Sequence, residues 1–186
     1  DDMWTHQYDQ QTNQIACKIF PGKTFFRTNS SSSHLFGLEP HFGCCTANFN
    51  QGWPKLALHT FLRGARGIHV AMLLPATLQT TIGGVGVKLT CETEYPFRHT
   101  ATFKVKVDAP VRFALSIRLP AFAKQVTLCG KPVNARGHIT LNRKWRGEET
   151  LTLTFSDTPH LVSRPYGLKA VEYGPLVFSL PIETED

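Results

Sequence analysis

The sequence predicts a mainly β protein, an antiparallel β-sandwich preceded by a short irregular or helical segment. Apolar and polar residues alternate with a period of two, most clearly over residues 85–119 and 149–155. The predicted strands recur about every 8 to 12 residues, with turn residues between them and no helical pattern, which is typical of a sandwich. We place the start of the sandwich near residues 64–67.

Length and composition limit the class of protein and its partners. The chain has 186 residues, of which 41% are hydrophobic and 18% are charged, as in globular domains with a substantial core. No apolar run approaches the ~20 residues that cross a bilayer, so no membrane partner is expected. The net charge is +6, but the basic residues are scattered without interleaved aromatics, so no nucleic-acid partner is expected. Five cysteines are an odd, sparse set, which favours reduced thiols and a cytosolic setting.

The first part of the chain has little periodic pattern. Residues 15–20 alternate as a short strand would, and residues 28–34 form a Ser-rich segment typical of a loop. A helical spacing then begins at Thr46 and predicts a helix with Gly64 as its stop. Its apolar face would be formed by Phe49, Trp53, Leu56 and Thr60.

Pro54 interrupts this predicted helix. Either the helix bends there, or a second helix begins with Pro54 in its first turn, where a missing backbone N–H costs nothing. In both cases Trp53 is expected to pack in the helix core. Beyond this point the predicted strands are residues 67–74, 77–81, 85–92, 101–107, 112–119, 125–128, 131–133, 138–141, 149–155, 168–173 and 176–180.

Two adjacent cysteines, Cys44 and Cys45, lie just before the predicted helix. Neighbouring thiols cannot easily bond to each other across one trans peptide, but they can present two sulfurs to a soft cation such as zinc. A helix N-terminus would also lower their thiol pKa values. The alternative is that both are small buried apolar side chains.

Glycoside hydrolase family 127, the β-L-arabinofuranosidase family, has a cysteine motif that this chain resembles over Gly37-Leu-Glu-Pro-His-Phe-Gly-Cys-Cys-Thr-Ala-Asn-Phe-Asn-Gln-Gly-Trp-Pro-Lys55. Residues 4–15 and 171–177 also resemble segments of that family. Its members have a long α/α-barrel catalytic domain followed by β-sandwich domains. The resemblance therefore implies that residues 1–66 are the C-terminal end of the barrel and residues 67–186 the sandwich. The chain would then be a fragment of a longer enzyme.

The resemblance also implies roles for the two cysteines. Cys44 would be the nucleophile, and Cys44 and Cys45 would bind zinc, in a retaining hydrolase that acts on β-L-arabinofuranosides. The implied partners are an arabinose-containing oligosaccharide or glycan and the remainder of the catalytic domain. Family members supply two further zinc ligands from a Glu-x-Cys segment and the general acid/base from another upstream glutamate. Because no Glu-x-Cys occurs in this sequence, we expect an incomplete site and an isolated chain without activity.

Two histidines near the cysteine pair, His34 and His41, are candidates for binding substrate hydroxyls, and the alternative for His41 is a structural role. We expect His59 and His69 to be packing residues on apolar stretches. Cys91 and Cys129 are expected to be buried small side chains, and Trp145 is placed in a turn. These last residues are not expected to take part in catalysis.

A second hypothesis is a non-catalytic β-sandwich module that binds carbohydrate or braces a neighbouring domain. An aromatic row on one face of the sandwich would favour carbohydrate binding, but the aromatic residues of the predicted strands are scattered. A small structural metalloprotein fails on ligand count, since no second Cys or His pair has suitable spacing.

Overall fold

A computed structural model of the chain describes residues 47–164 and 167–178. Contacts divide the chain into two compact units. The larger unit comprises Lys55–His160 and Tyr173–Leu176, and the smaller one the rest of the chain. The described residues are mainly strand, with a short helix at their N-terminal end, so the predicted fold class is confirmed. The division at residue 66 into barrel and sandwich stays a prediction.

The described elements are one complete helix, a helical piece at residues 47–49 and thirteen strands. The helix is α1 (Gly52–Leu58). The strands, in chain order, are β1 (Phe61–Gly64), β2 (Gly67–Val70), β3 (Ala76–Ile82), β4 (Val85–Thr93), β5 (Thr100–Val107), β6 (Val111–Arg118), β7 (Lys124–Leu128), β8 (Lys131–Pro132), β9 (His138–Trp145), β10 (Glu148–Ser156), β11 (His160–Ser163), β12 (Lys169–Tyr173) and β13 (Leu176–Phe178).

Two sheets form the sandwich of the larger unit. A four-stranded sheet has the order β1-β2-β6-β9, and a six-stranded sheet has the order β3-β4-β5-β10-β7-β8. A separate three-stranded sheet has the order β11-β12-β13. Neighbouring strands in the two larger sheets are antiparallel except β2 and β6, which run parallel with Ile68 opposite Leu115. The parallel pair departs from the wholly antiparallel sandwich that the alternation predicted.

The core of the sandwich is formed by the inward-facing side chains of both larger sheets. Phe103 and Leu153 come from the six-stranded sheet, and Leu115 and Ile117 from the four-stranded sheet, and all four belong to one buried cluster. Strict alternation along each strand puts these residues on one face, because successive side chains of a strand point to opposite faces. Each fully buried side chain of this size contributes roughly 1.5–3 kcal/mol of hydrophobic stabilisation.

The segment before the sandwich differs from the single helical pattern. Residues 47–49 are helical, and α1 follows after a turn with Pro54 in its first turn, which is the second of the two arrangements considered for this proline. The expected apolar face is not buried, since Phe49 is 79% and Trp53 70% exposed. The helix ends before Thr60, whose backbone carbonyl accepts a hydrogen bond from the N–H of Ala71.

A β-hairpin replaces the last turns of the expected helix. Strands β1 and β2 pair around a two-residue turn, with Gly64 opposite Gly67. A Cβ at Gly67 would lie 2.0 Å from the backbone oxygen of Ala114 on β6. Only glycine therefore permits β2 to pack this closely beside β6, and that contact brings the hairpin into the four-stranded sheet.

Trp145 corrects the sequence interpretation of β9. The strand continues from His138 to Trp145, four residues beyond the predicted end at residue 141. Trp145 lies at the end of this strand, not in a turn, and its side chain is fully buried. Its Nε1–H donates a hydrogen bond of 3.1 Å to the carbonyl of Phe113. Strand β11 was not predicted at all.

Candidate functional site

The four residues predicted for the active site are Cys44, Cys45, His41 and His34, and all four lie outside the described residues. The roles assigned to them stay predictions. Between residues 47 and 178, apart from the undescribed positions 165–166, no three His, Cys, Asp or Glu side chains form a group that could hold a metal ion. The described part of the chain thus supplies no zinc site of its own.

The sequence analysis also predicted that two cysteines and two histidines of the described residues are packed inside the protein. Cys91 is buried, as expected, and burial, with a smaller contribution from Glu92, raises the pKa of its thiol to about 11. Cys129 is exposed at a hairpin turn between β7 and β8, so its predicted burial is wrong. His59 and His69 are also exposed, because the helix and the β1–β2 hairpin turn them outward.

A cluster of aromatic rings surrounds His99 in the larger unit. His99 follows the turn between β4 and β5, and its ring stacks on Phe155 at 5.0 Å and on Tyr173 at 4.7 Å between centroids. Phe122 and Tyr95 lie further out, at 5.8 and 6.4 Å. The Nε2 atom of His99 is buried and has no hydrogen-bond partner among the described residues.

The C-terminal residues Tyr173 and Gly174 are held in this cluster by Asp157. The backbone N–H of Gly174 donates a 2.8 Å hydrogen bond to Oδ2 of Asp157, and Lys124 Nζ lies 3.5 Å from Oδ1. The Asp157 side chain is only 2% exposed. The hydrogen bond from Gly174 and, to a smaller extent, Lys124 hold the pKa of this carboxyl below its usual value.

A cavity of about 330 Å³ lies next to the aromatic cluster. Tyr95 and Phe122 line it together with Arg118, and the other lining residues are apolar: Ala71, Met72, Leu73, Leu74, Pro120 and Ala121. Burial raises the pKa of Tyr95, and the charge of Arg118 partly opposes this shift. The cavity is wide enough for a small molecule, but its wall has few polar groups to orient one.

Sequence reasoning missed the residues of this region. Residues 171–177, which include Tyr173 and Gly174, were noted for two predicted strands and for their resemblance to a family segment, but not for any contact with His99 or Asp157. Asp157 and His99 each lie in a short polar turn, where the sequence shows nothing of their partners. Contacts between residues so far apart in the chain leave no local pattern.

The comparisons with known proteins first define a class. A solved structure described as a glycoside hydrolase is similar to this chain, with a TM-score of 0.65 and 20% identity, over 84% of this chain and 27% of that one. At that identity the likeness establishes the sandwich fold alone. The described β-sandwich therefore has the fold of a domain found in glycoside hydrolases.

A family model then identifies the domain. Residues 67–156 match the family model "Beta-L-arabinofuranosidase, GH127 middle domain", which confirms the resemblance drawn from the sequence. The match begins at Gly67, at the start of β2.

Two solved members of the family are similar to the chain. A GH127 β-L-arabinofuranosidase from Geobacillus stearothermophilus T6 has a TM-score of 0.63 and 25% identity, over 73% of this chain and 24% of that one. A GH127 β-arabinofuranosidase has a TM-score of 0.60 and 23% identity, over 74% of this chain and 26% of that one. The chain thus spans about a quarter of the length of each structure. No curated protein matches it.

No helix of the described residues is long and apolar enough to cross a membrane.

Proposed function

We propose that this chain is the C-terminal portion of a retaining glycoside hydrolase that acts on β-L-arabinofuranosides. The observation that carries the proposal is the family match of residues 67–156, directly downstream of a Cys-Cys motif that resembles the motif of the same family. The similar structure from Geobacillus stearothermophilus T6 is described as a β-L-arabinofuranosidase, which supports this substrate class. An arabinose-containing oligosaccharide or glycan is the proposed substrate.

In this proposal Cys44 is the nucleophile. Its thiolate attacks the anomeric carbon, the sugar–aglycone bond breaks, and a proton from an upstream acid goes to the leaving oxygen. Water then displaces the thiolate and releases the sugar with retained configuration. His41 and His34 are proposed to hydrogen-bond substrate hydroxyls.

Zinc is the proposed cofactor, with Cys44 and Cys45 as ligands. A zinc ion bound there would keep both sulfurs deprotonated at neutral pH, where a free thiol with a pKa near ~8.5 is mostly protonated. Two thiolates are half of a four-coordinate site, and the sequence has no Glu-x-Cys segment to complete it. We therefore expect the isolated chain to bind zinc weakly and to lack hydrolase activity.

The remainder of the catalytic domain is the proposed protein partner. Phe49 and Trp53, in the segment that the family resemblance assigns to the barrel, are 79% and 70% exposed. Large aromatic side chains exposed in this way are typical of surfaces that another part of the protein covers. The longer structures to which the chain is similar support the existence of such a part.

The second candidate is a sandwich module without catalytic function that binds carbohydrate or braces a neighbouring domain. It is favoured by the extent of the family match, which covers residues 67–156 of the sandwich and not the Cys-Cys motif. Substitutions in the full-length parent separate the two candidates. If the chain carries the nucleophile, Cys44→Ser abolishes turnover while the protein stays folded, and Cys45→Ser loses both activity and more of the zinc. If the chain is only a bracing module, both variants keep wild-type turnover.

A further inference from the structure

The outer face of the four-stranded sheet is strongly basic. It carries Arg112 and Arg118 on β6, Lys144 and His138 on β9, and His69 on β2, and we call these five residues the basic face. All five side chains are exposed. The register places Arg112 directly opposite Lys144 and Arg118 directly opposite His138.

The charges of the basic face are not neutralised by acidic neighbours. No Asp or Glu occurs at the outward positions of β1, β2, β6 and β9, and neither arginine nor Lys144 forms an ion pair with a described carboxylate. Like charges directly opposite on neighbouring strands destabilise a sheet. The outer face of the other large sheet carries acidic residues as well, because Lys104 pairs with Glu92 at 2.6 Å and Glu148 lies opposite Lys106. The unpaired cations therefore point to a ligand with negative charge.

Between the two charged ends lies a strip of short side chains. Ser116 and Thr140 share a hydrogen bond of 2.9 Å across β6 and β9, and Ala114 lies opposite Asn142 in the neighbouring row. The rise of a β-strand places the two ends about 20 Å apart. Thr140 and Asn142 are exposed and offer a hydroxyl and an amide, which donate to and accept from sugar hydroxyls, whereas Ser116 and Ala114 beside them are buried.

This surface fits a polysaccharide that is held through its charges and hydroxyls, and not one whose rings stack on an aromatic row. Single-stranded nucleic acids are held by aromatic side chains that stack on bases, and the outward positions of these four strands hold no aromatic residue. Protein interfaces are centred on a desolvated cluster of anchors, most often Trp, Tyr and Arg. The two arginines of the basic face are exposed and lie about 20 Å apart, so they form no such cluster. Here Leu62 is the one large apolar side chain at those positions, and it lies on the edge strand β1. Guanidinium and ammonium groups pair well with carboxylates.

We propose that the basic face binds a carboxylated polysaccharide chain, with carboxylates paired to Arg112 and Lys144 at one end and to Arg118 and His138 at the other. This inference rests on the proposed function, because the acidic glycan is what the proposed hydrolase binds outside its active site. It places no reacting group on the sandwich.

The test uses the 186-residue chain and alginate oligomers, a soluble polyuronate, in isothermal titration calorimetry at low ionic strength. The double variant Arg112→Gln/Lys144→Gln removes one charged end. Its matched control, Lys88→Gln/Lys106→Gln, removes the same charge from an opposed pair on the outer face of the six-stranded sheet. Neutral arabinan and single-stranded DNA are the comparison ligands, and circular dichroism checks that each variant is folded.

We expect alginate to bind the wild-type chain, and the Arg112/Lys144 variant to bind about three- to thirty-fold more weakly, as for the loss of two exposed ion pairs. The control variant should stay within about twofold of wild type, and arabinan and DNA should bind more weakly than alginate. No alginate binding, an equal loss in the control variant, or DNA binding as tight as alginate would each overturn the proposal. Hydrolysis by the full-length parent is measured separately, so failure of this proposal is distinguishable from failure of the proposed function.

Discussion

Substitution of Trp145 gives a quantitative test of the sandwich core. Trp145 is fully buried, stacks on Phe113 with centroids 5.4 Å apart, and donates a hydrogen bond to the carbonyl of the same residue. Trp145→Ala removes all of these contacts and leaves a cavity, so it should lower the free energy of unfolding by about 3–5 kcal/mol. Trp145→Phe keeps a stacked ring but loses the hydrogen bond and part of the packing, and should cost about 1–2 kcal/mol.

The guanidinium of Arg143 adds a second, separable contribution. It lies 4.2 Å from the Trp145 ring centroid and forms a 2.7 Å ion pair with Glu149. A double-mutant cycle between Trp145→Phe and Arg143→Gln should therefore give a coupling energy of no more than about 1 kcal/mol, because the site is partly exposed and phenylalanine retains some of the interaction.

Urea denaturation followed by far-ultraviolet circular dichroism measures these changes. Trp53→Phe is the matched control, since Trp53 is 70% exposed and its substitution should change the free energy of unfolding by less than about 0.5 kcal/mol. If Trp145→Phe costs no more than Trp53→Phe, Trp145 is not a core residue at the end of β9 and the reasoning fails.

Three further predictions concern the backbone, a carboxylate and two thiols. Gly67→Ala should destabilise the chain by more than about 2 kcal/mol in urea denaturation, because its Cβ would overlap the backbone of β6, and a cost under about 0.5 kcal/mol would contradict that contact. Asp157 has a lowered pKa in the folded chain, so the unfolded chain binds its proton first as the pH falls. The stabilisation from its hydrogen bond to Gly174 should be complete above about pH 4 and lost below it. In urea denaturation at several pH values, Asp157→Asn should therefore lose less stability on acidification than the wild type. A pH dependence of stability that is the same in both would contradict this role. In the folded chain at pH 8, iodoacetamide should modify the exposed Cys129 and spare the buried Cys91. Peptide mass mapping measures both, and equal modification of the two thiols would contradict the burial of Cys91.

The strands of the sandwich could be predicted because their alternation is local. Predicted ranges such as 85–92 and 101–107 agree with β4 and β5 to within one residue at each end. The end of β9 could not be predicted, because Asn142, Arg143 and Lys144 form a polar run that resembles a turn. Arg143 occupies an inward-facing position because its guanidinium lies over the Trp145 ring and forms an ion pair with Glu149. The alternation of polar and apolar residues indicates neither of these contacts.

The segment before the sandwich was predicted less accurately than the strands. The spacing of Phe49 and Trp53 predicts one helix with an apolar face, but a turn separates the helical residues 47–49 from α1, and the spacing says nothing about what covers these side chains. Both side chains are exposed in the described structure. The parallel pairing of β2 with β6 also escaped prediction, because it depends on contacts between residues far apart in the chain.

The candidate site, like the fold, could be predicted from the sequence only in part. Adjacent cysteines and the residues around them are a local motif, so Cys44 and Cys45 could be proposed from sequence alone. The hydrogen bond from Gly174 to Asp157 and the rings around His99 join distant turns, and they became visible only in the folded chain. The basic face likewise depends on strand register, since the basic residues are scattered along the sequence.

The central claim is that Cys44 is the nucleophile of a β-L-arabinofuranosidase. The most direct measurement treats the full-length parent with a mechanism-based arabinofuranosyl inhibitor and locates the label by peptide mass spectrometry. We expect one arabinofuranosyl adduct on Cys44, no adduct in Cys44→Ser, and no turnover by that variant. A label on a carboxylate, together with full activity in Cys44→Ser, would contradict the claim.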